Sequence, residues 1–285
     1  GEIVLRTKKQ YQLTGYAGKY LGKWGKRLMA FAMVFGIYGA LIAYIMGEGV
    51  ALQKIFGGNS ILYSLIFFII ISLIIYKGVK ATGKAEMVVI GLLFLVVILI
   101  GIFSIGEMDV THLTTVHWSK FFLPYGVILF AFVGTAAIPE LQEELGSQKK
   151  HMKKAILWGS IIPIVLYLVF AAIVVAIVGL ENFELLQPNE RIATVALSIY
   201  ANPLLGLFAN IFAALAMFTS ALTLGLALKE MYQYDFGLSK GWSFALTMSI
   251  PLIIALSNIT SFITAIGITG AIAGGIDGIL VVLAF

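Results

Sequence analysis

Apolar residues dominate this chain in eight long stretches that short polar or basic segments separate. The stretches cover residues 28–46, 61–76, 87–105, 125–141, 155–179, 203–228, 242–257 and 262–285. A helix rises about 1.5 Å per residue and a bilayer core is about 30 Å thick, so about 20 apolar residues make one crossing. The pattern predicts an all-α integral membrane protein with eight spans in one transmembrane domain, residues 28–285.

The fourth stretch contains residues that interrupt a helix in the middle of an apolar segment. Pro139 has no amide hydrogen for the Thr135 carbonyl, and Gly134 is a weak helix former. Pro139 and Glu140 are also typical of a first helical turn. In lipid, unpaired backbone groups are tolerated only inside protein or beside a wet cavity. We expect either a broken helix that binds a ligand, as in transporters, or an ordinary proline-kinked span.

The composition fits a chain that lies mostly in lipid. The 285 residues are 60% hydrophobic and 12% charged, and cysteine is absent. These values exclude a water-soluble globular domain, disulfides and thiolate metal sites. Residues 1–27 are rich in lysine and arginine, and we expect them to lie along the cytosolic membrane surface. Nucleic acid is not an expected partner, because basic residues beside a first span usually set its orientation.

The basic residues fall almost entirely on one side of the predicted spans. Of the 19 lysines and arginines, only Lys54, Lys120 and Arg191 lie in segments assigned to the outer side. The positive-inside rule therefore predicts a multi-pass protein of the cell membrane with both ends of this chain at the cytosolic face. Because residue 1 is glycine, we expect the chain to be a piece of a longer protein.

Polar residues within the predicted spans are further candidates for function. An ionised Asp277 in the last span would cost about 2.5–3.5 kcal/mol on insertion scales, so we expect a proton or gating role or a structural hydrogen bond. Thr219, Ser220 and Thr223 present hydroxyl groups in the sixth span. Hydroxyl oxygens suit a hard cation such as sodium, although membrane hydroxyls also bond their own helix.

The sequence offers little support for an enzyme. It contains neither a His-Glu-x-x-His zinc motif nor a glycine-rich phosphate loop. We therefore predict no catalytic residue, no metal beyond a coupling sodium ion and no organic cofactor. A membrane enzyme or its partner subunit, and a passive channel, stay as alternatives to a transporter.

Two groups of motifs resemble amino acid permeases. The run from Phe122 to Gly126, the segment from Phe130 to Glu140 and the basic turn from Lys149 to Lys154 resemble the sixth helix and following loop of two permease groups. These groups are the amino acid/auxin permeases and the bacterial hydroxy and aromatic amino acid permeases. Thr219-Ser220 and the run from Tyr234 to Phe236 are similar to their eighth helix and inner loop.

The resemblance implies the amino acid-polyamine-organocation superfamily and its LeuT-like inverted-repeat fold. The eight spans then correspond to helices three to ten, and two upstream helices of the parent chain are missing partners. Because the first of those helices supplies half of the substrate site in the family, we expect this chain alone to lack native transport.

The resemblance also implies roles for individual residues around an amino acid substrate. Backbone groups at the break bind the charged ends of the substrate: Gly134, Thr135 and Ala136. Aromatic side chains flank it: Phe130 and Phe132, with Tyr38 or Tyr44 from the first span.

The ion site implied by the resemblance uses Thr219 and Ser220 as sodium ligands. Family members that use protons sometimes place a lysine in the corresponding helix, and residues 87–105 contain none, so the resemblance favours sodium. Asp277 is the reserve proton carrier. We therefore expect a secondary active transporter that imports a neutral, aromatic or aliphatic, amino acid by alternating access. The coupling ion is sodium or a proton.

Overall fold

The computed structural model describes residues 1–7, 9–114, 118–187, 190–257 and 259–284, which form helices and connecting turns without a β-strand. The α-helices are α1 Glu2–Arg6, α2 Leu13–Phe56, α3 Ser60–Lys77, α4 Val79–Ser104, α5 Tyr125–Phe132, α6 Ala137–Leu145, α7 Met152–Val178, α8 Leu180–Leu185, α9 Ala193–Tyr200, α10 Pro203–Glu230, α11 Lys240–Leu256, α12 Phe262–Thr269 and α13 Gly275–Ala284.

Two π-helical turns interrupt this all-α arrangement. Met231–Asp235 extends the end of α10, and Gly270–Gly274 joins α12 to α13 within one apolar segment. Single π turns inside helices are frequent at functional sites. The apolar pattern alone does not distinguish such a turn from a regular helix.

Local sequence signals explain where several helices begin and end. The Asn59 side chain accepts a hydrogen bond from the Ile61 amide at 2.8 Å and caps α3. Asn202 caps α10 in the same way, and Pro203 occupies the first helical turn. Gly78, with φ +97°, ends α3 in a conformation that favours glycine.

Six helical segments in the described part of the chain are long and apolar enough to cross a membrane. One of them, Tyr125–Val178, covers the fourth predicted span and all but the last residue of the fifth, and the shorter apolar helix α11 covers all but the last residue of the seventh. Large apolar side chains are exposed along α4 and α7, as lipid-facing helices require. The chain is an all-helical, multi-pass membrane protein.

Helix α2 lies at the centre of the fold, where it contacts α3, α10, α11, α12 and α13. It bends at Gly22, whose φ of +74° is non-helical. Before this bend, Leu13, Tyr16 and Ala17 are buried. Part of the basic segment 1–27 therefore packs against the other helices.

Glycines allow α2 and the last helices to approach closely. A Cβ atom added at Gly39 would overlap the Thr269 side chain, and one added at Gly36 would lie 3.0 Å from the Ala273 Cβ atom. Lipid tails are as apolar as the side chains, so moving apolar side chains from lipid into the protein gains little free energy. Close van der Waals contact between helices therefore supplies much of the packing energy. This crossing holds the segment with Asp277 beside the centre of α2.

Candidate functional site

The fourth apolar segment is broken as a helix in its middle. Helix α5 ends at Phe132, α6 begins at Ala137, and Val133 between them is extended, with φ −75° and ψ 99°. The amide groups of Gly134, Thr135 and Ala136 donate no backbone hydrogen bond within the described residues. Three amide donors are thus free beside the N-terminus of α6.

The carbonyl groups at the break do not match the sequence-based expectation. The Thr135 carbonyl was expected to be free, but it accepts a hydrogen bond from the Ile138 amide at 3.1 Å. The Gly134 carbonyl likewise accepts from the Ala137 amide, at 3.2 Å. A tighter turn therefore replaces the bond that Pro139 cannot make, and the break offers donors that suit an anionic group.

A hydrogen bond joins the break to the last helix. The Thr135 hydroxyl donates to Oδ2 of Asp277, which is only 6% exposed. The other oxygen, Oδ1, is buried and has no hydrogen-bond partner in the described part of the chain. Thr135 and Asp277, which were selected from separate motifs, thus lie in contact. One oxygen of the Asp277 carboxylate lacks a hydrogen-bond donor among the described residues.

A small cavity of about 100 Å³ lies between α2, the break and the last helices. The following residues contribute to its lining: Leu13, Tyr44, Phe130, Thr135, Ala136, Thr269 and Asp277. A water molecule occupies about 30 Å³ in the liquid, and pockets for larger ligands have about 300–1,000 Å³. In this conformation the cavity fits a few waters or a small polar group.

The four aromatic candidates separate into two groups. Tyr44 and Phe130 line the cavity, and their rings meet edge to face at 6.2 Å. Phe132 lies outside it, against the ring of Tyr167 in α7. Tyr38 is also outside, since its hydroxyl bonds the Tyr232 hydroxyl and the Leu246 carbonyl. Tyr44 is therefore the tyrosine of α2 that faces the break.

The hydroxyl cluster of α10 lies near this site but is partly engaged. The Thr219 hydroxyl donates to the Ala216 carbonyl at 3.0 Å. The Thr223 hydroxyl is within hydrogen-bonding distance of the Thr219 carbonyl, at 3.2 Å, and of the Glu86 carboxylate. Ser220 interacts with the Tyr44 hydroxyl, which connects the cluster to the cavity.

Sequence reasoning missed Glu86 and Glu230 as functional candidates and used Glu140 only as a helix-start signal. Glu140 and Glu230 are 7% and 3% exposed, and Glu86 is half-buried. Each lies at the edge of an apolar run of the sequence, where an acid is normally assigned to the aqueous boundary. The sequence did show each acid at the edge of an apolar run. It could not show that these acids are buried, because their burial depends on the neighbouring helices.

The described residues give little support to metal or nucleophile chemistry. They contain no group of three or more histidine, aspartate or glutamate side chains placed to hold a metal ion. Residues 237–241 match the Gly-x-Ser-x-Gly motif of serine nucleophiles. However, Ser239 is the N-cap of α11 and accepts a hydrogen bond from the Trp242 amide. This serine therefore has a structural role at a helix start.

Known proteins are similar to this chain over nearly its whole length. The sequence pattern of the tryptophan/tyrosine permease family matches residues 1–284. Glutamine transporter 2 of Aliivibrio fischeri is 24% identical over 281 residues, which cover 95% of this chain and 72% of that protein. Tyrosine-specific transport system 1 of Haemophilus influenzae is 25% identical over 274 residues, which cover 89% of this chain and 67% of that protein.

Proposed function

This chain belongs to the tryptophan/tyrosine permease family, and we propose that it carries a neutral amino acid into the cell by ion-driven alternating access. The observation that supports this most directly is the break at 133–136. There, unpaired backbone amides of the fourth apolar segment lie beside Asp277 of the last segment, whose Oδ1 has no hydrogen-bond partner among the described residues. Broken helices of this kind bind substrates in secondary transporters.

The polar groups at the break are complementary to the two charged ends of an amino acid. Free amides beside the N-terminus of α6 suit the substrate carboxylate. The unpartnered Oδ1 of Asp277 suits the ammonium group, because a buried carboxylate without a cation is costly. The named relatives transport glutamine and tyrosine, whose side chains are uncharged. We therefore propose a neutral amino acid as the substrate.

The proposed architecture is the LeuT-like inverted repeat. In this arrangement the eight apolar stretches take the places of helices three to ten, and two upstream helices complete the substrate site. The interruption of the fourth stretch and the π turn in the last stretch support the assignment. The basic residues support a cytosolic location for both ends of the chain.

The coupling ion is proposed to be sodium, with a proton as the alternative. Hydroxyl oxygens of Thr219, Ser220 and Thr223 retain lone pairs for a hard cation even where their hydrogens bond helix carbonyls. Asp277 is the proposed proton carrier if the proton is used. Ser220 lies near Tyr44, which lines the cavity, so the proposed ion site is close to the proposed substrate site.

Uptake in proteoliposomes tests this function directly. The complete natural protein that contains these residues is reconstituted, and labelled amino acids are offered under an inward sodium gradient or an inward proton gradient. We expect saturable uptake and counterflow of at least one neutral amino acid under one gradient. Gradient-independent, non-saturable flux would indicate a passive channel. No uptake of any amino acid under either gradient would contradict the proposal.

Changing Thr135 to valine is expected to reduce uptake by about 10-fold to 100-fold. The change removes the hydroxyl donor and leaves the buried Asp277 carboxyl without its only described partner. A hydrogen bond to a charged group contributes about 1.5–3 kcal/mol, and each 1.4 kcal/mol is about tenfold. Thr135→Ser retains the hydroxyl and serves as the control. Equal uptake by the valine and serine variants would show that this hydrogen bond has no role in transport.

A further inference from the structure

The first turn of α2 is bound by a side chain from the π turn that extends α10. The Asp235 carboxylate accepts two backbone hydrogen bonds there: Oδ1 accepts from the Gln12 amide at 3.1 Å, and Oδ2 accepts from the Gly15 amide at 2.7 Å. Amides in the first turn of a helix lack the regular helical partner, and the Gln12 side chain, at the N-cap position, does not bond them. Asp235 therefore caps α2 from a position 220 residues away from Gly15.

A second pair of contacts holds α2 on the other side of its bend. The Lys26 ammonium group donates to the Asp235 carbonyl at 2.7 Å and lies 4.8 Å from the centre of the Phe236 ring. Gly22, at the bend, lies between the positions that bind Asp235. Because residues on both sides of the bend bind the same turn, the angle between the two parts of α2 is fixed.

The first turn of α2 and the end of α10 are in close contact. A Cβ atom added at Gly15 would lie 2.5 Å from Oδ1 of Asp235, so glycine at this position permits the approach of the carboxylate. The Gln12 side chain is only 1% exposed and donates a further hydrogen bond at 3.1 Å to the Glu230 carboxylate. The contact between the two helices is therefore tight and polar.

Leu13 belongs to this bound turn, and its side chain lies between two cavities. The first is the cavity of about 100 Å³ beside the break. The second, of about 80 Å³, lies beside α1 and the first turn of α2. Leu13 and Thr135 line both cavities. Leu13, which is 9% exposed, is therefore part of the wall between them.

We propose that Leu13 is a gate residue between the cavity at the break and the side of the protein where α1 lies, and that Asp235 is the positioning residue that keeps this gate closed. The inference rests on the proposed transport function, in which the cavity opens to one side at a time. While Asp235 binds the two amides, Leu13 completes the wall. Release of these hydrogen bonds lets the first turn of α2 move and joins the two cavities into one path.

The chemistry of these contacts suits a gate that opens reversibly. Asp235 lies between two exposed residues, Tyr234 and Phe236, so water reaches this end of the bundle. The separated amides and carboxylate can therefore bond water instead of each other. Gly22 is the hinge, because its non-helical backbone lies within α2 and a hinge needs only a few residues to absorb a change in angle.

Thiol labelling of the purified protein in detergent tests the gate without requiring transport. The chain contains no cysteine, so Ala136→Cys places a single thiol at the wall of the cavity. Any cysteine elsewhere in the complete natural protein is replaced by serine, and a hydrophilic maleimide is added. Asp235→Asn turns one acceptor oxygen into a donor group that cannot bond an amide hydrogen. We expect Asp235→Asn to speed the labelling of Ala136→Cys by at least about tenfold.

A second thiol distinguishes an open gate from a loosened fold. Val174 in α7 is 3% exposed and belongs to a separate apolar cluster of the described residues. Asp235→Asn should leave the labelling rate of Val174→Cys unchanged. Equal acceleration at the two positions would show that Asp235 only stabilises the fold, and this would overturn the proposal.

Leu13→Ala tests the gate residue directly and is the second variant if Asp235→Asn does not fold. It shortens the side chain in the wall, so it should also speed the labelling of Ala136→Cys by at least about tenfold. An unchanged labelling rate in either folded variant would overturn the proposal.

Failure of this inference and failure of the transport proposal give different results. Amino acid uptake by the complete protein, together with unchanged labelling in both variants, would remove the gate and keep the carrier. Faster labelling without any uptake would contradict the transport proposal, while Leu13 and Asp235 would still be shown to close the cavity.

Discussion

Replacing Gly134 with leucine is expected to abolish amino acid uptake while the protein stays folded. Gly134 is exposed in the non-helical stretch, and a Cβ atom added there meets no atom within 4 Å. Its φ is not in the region that favours glycine, so the backbone accepts a side chain. The leucine side chain would occupy the space beside the free amides. A misplacement of about 1 Å at a binding site can cost about 100-fold, so we expect at least that loss.

Proteoliposome uptake and Tm, measured on the same preparation, separate blockage from misfolding. Gly159→Leu is the matched control, because Gly159 is exposed in α7 and its added Cβ also meets no atom within 4 Å. This control should insert, fold and transport. Normal uptake by Gly134→Leu would place the substrate elsewhere. It would contradict the proposal that the free amides of this break bind the substrate.

Replacing Gly270 with alanine is expected to destabilise the fold strongly. Gly270 begins the π turn of the last helix, and its added Cβ would overlap the Gly126 carbonyl oxygen. The same Cβ would lie 2.7 Å from the Phe130 amide nitrogen. These are backbone atoms, which cannot rotate away, so the crossing of α5 with the last helix must widen. Overpacking costs about 1–3 kcal/mol, and we expect the upper end of that range.

Thermal unfolding of purified protein measures this effect. A loss of about 3 kcal/mol corresponds to a Tm lower by about 6–12 °C for a chain of this size. Gly275→Ala is the control in the same segment, since an added Cβ there has no neighbour within 4 Å. Alanine is about 1 kcal/mol more favourable than glycine inside a helix, so this control should be neutral or stabilising. Similar losses for both variants would contradict the close crossing.

The prediction of an amino acid permease is confirmed by the family to which the chain belongs. Much of the helical framework was also visible in the sequence, because helix limits depend on local signals. The apolar stretch 61–76 lies within α3 (Ser60–Lys77), which Asn59 begins and Gly78 ends. The π turn at Gly270–Gly274 was not predicted. Gly270 is required in this turn because an added Cβ would overlap the backbone of α5, which is distant in the sequence.

Local residue types predicted the position of the break but not its hydrogen bonds. Pro139 and Gly134 predicted an interruption, and α5 and α6 are separated at that place. The same residues did not predict that the Thr135 carbonyl would bond Ile138 while three amides stayed free. Bond partners within a turn depend on its detailed backbone angles, which the residue types only restrict.

The sequence by itself determined that this chain lies in a membrane as apolar helices, and that one of them is interrupted near residue 134. These properties follow from residue types that act over a few neighbouring positions. Only the tertiary structure decided that Tyr44 and not Tyr38 lines the cavity, and that Thr135 meets Asp277, 142 positions away. The crossing of the helices determines which side chains come into contact. Packing brings together residues that are far apart in the sequence, and a local pattern carries no information about such pairs.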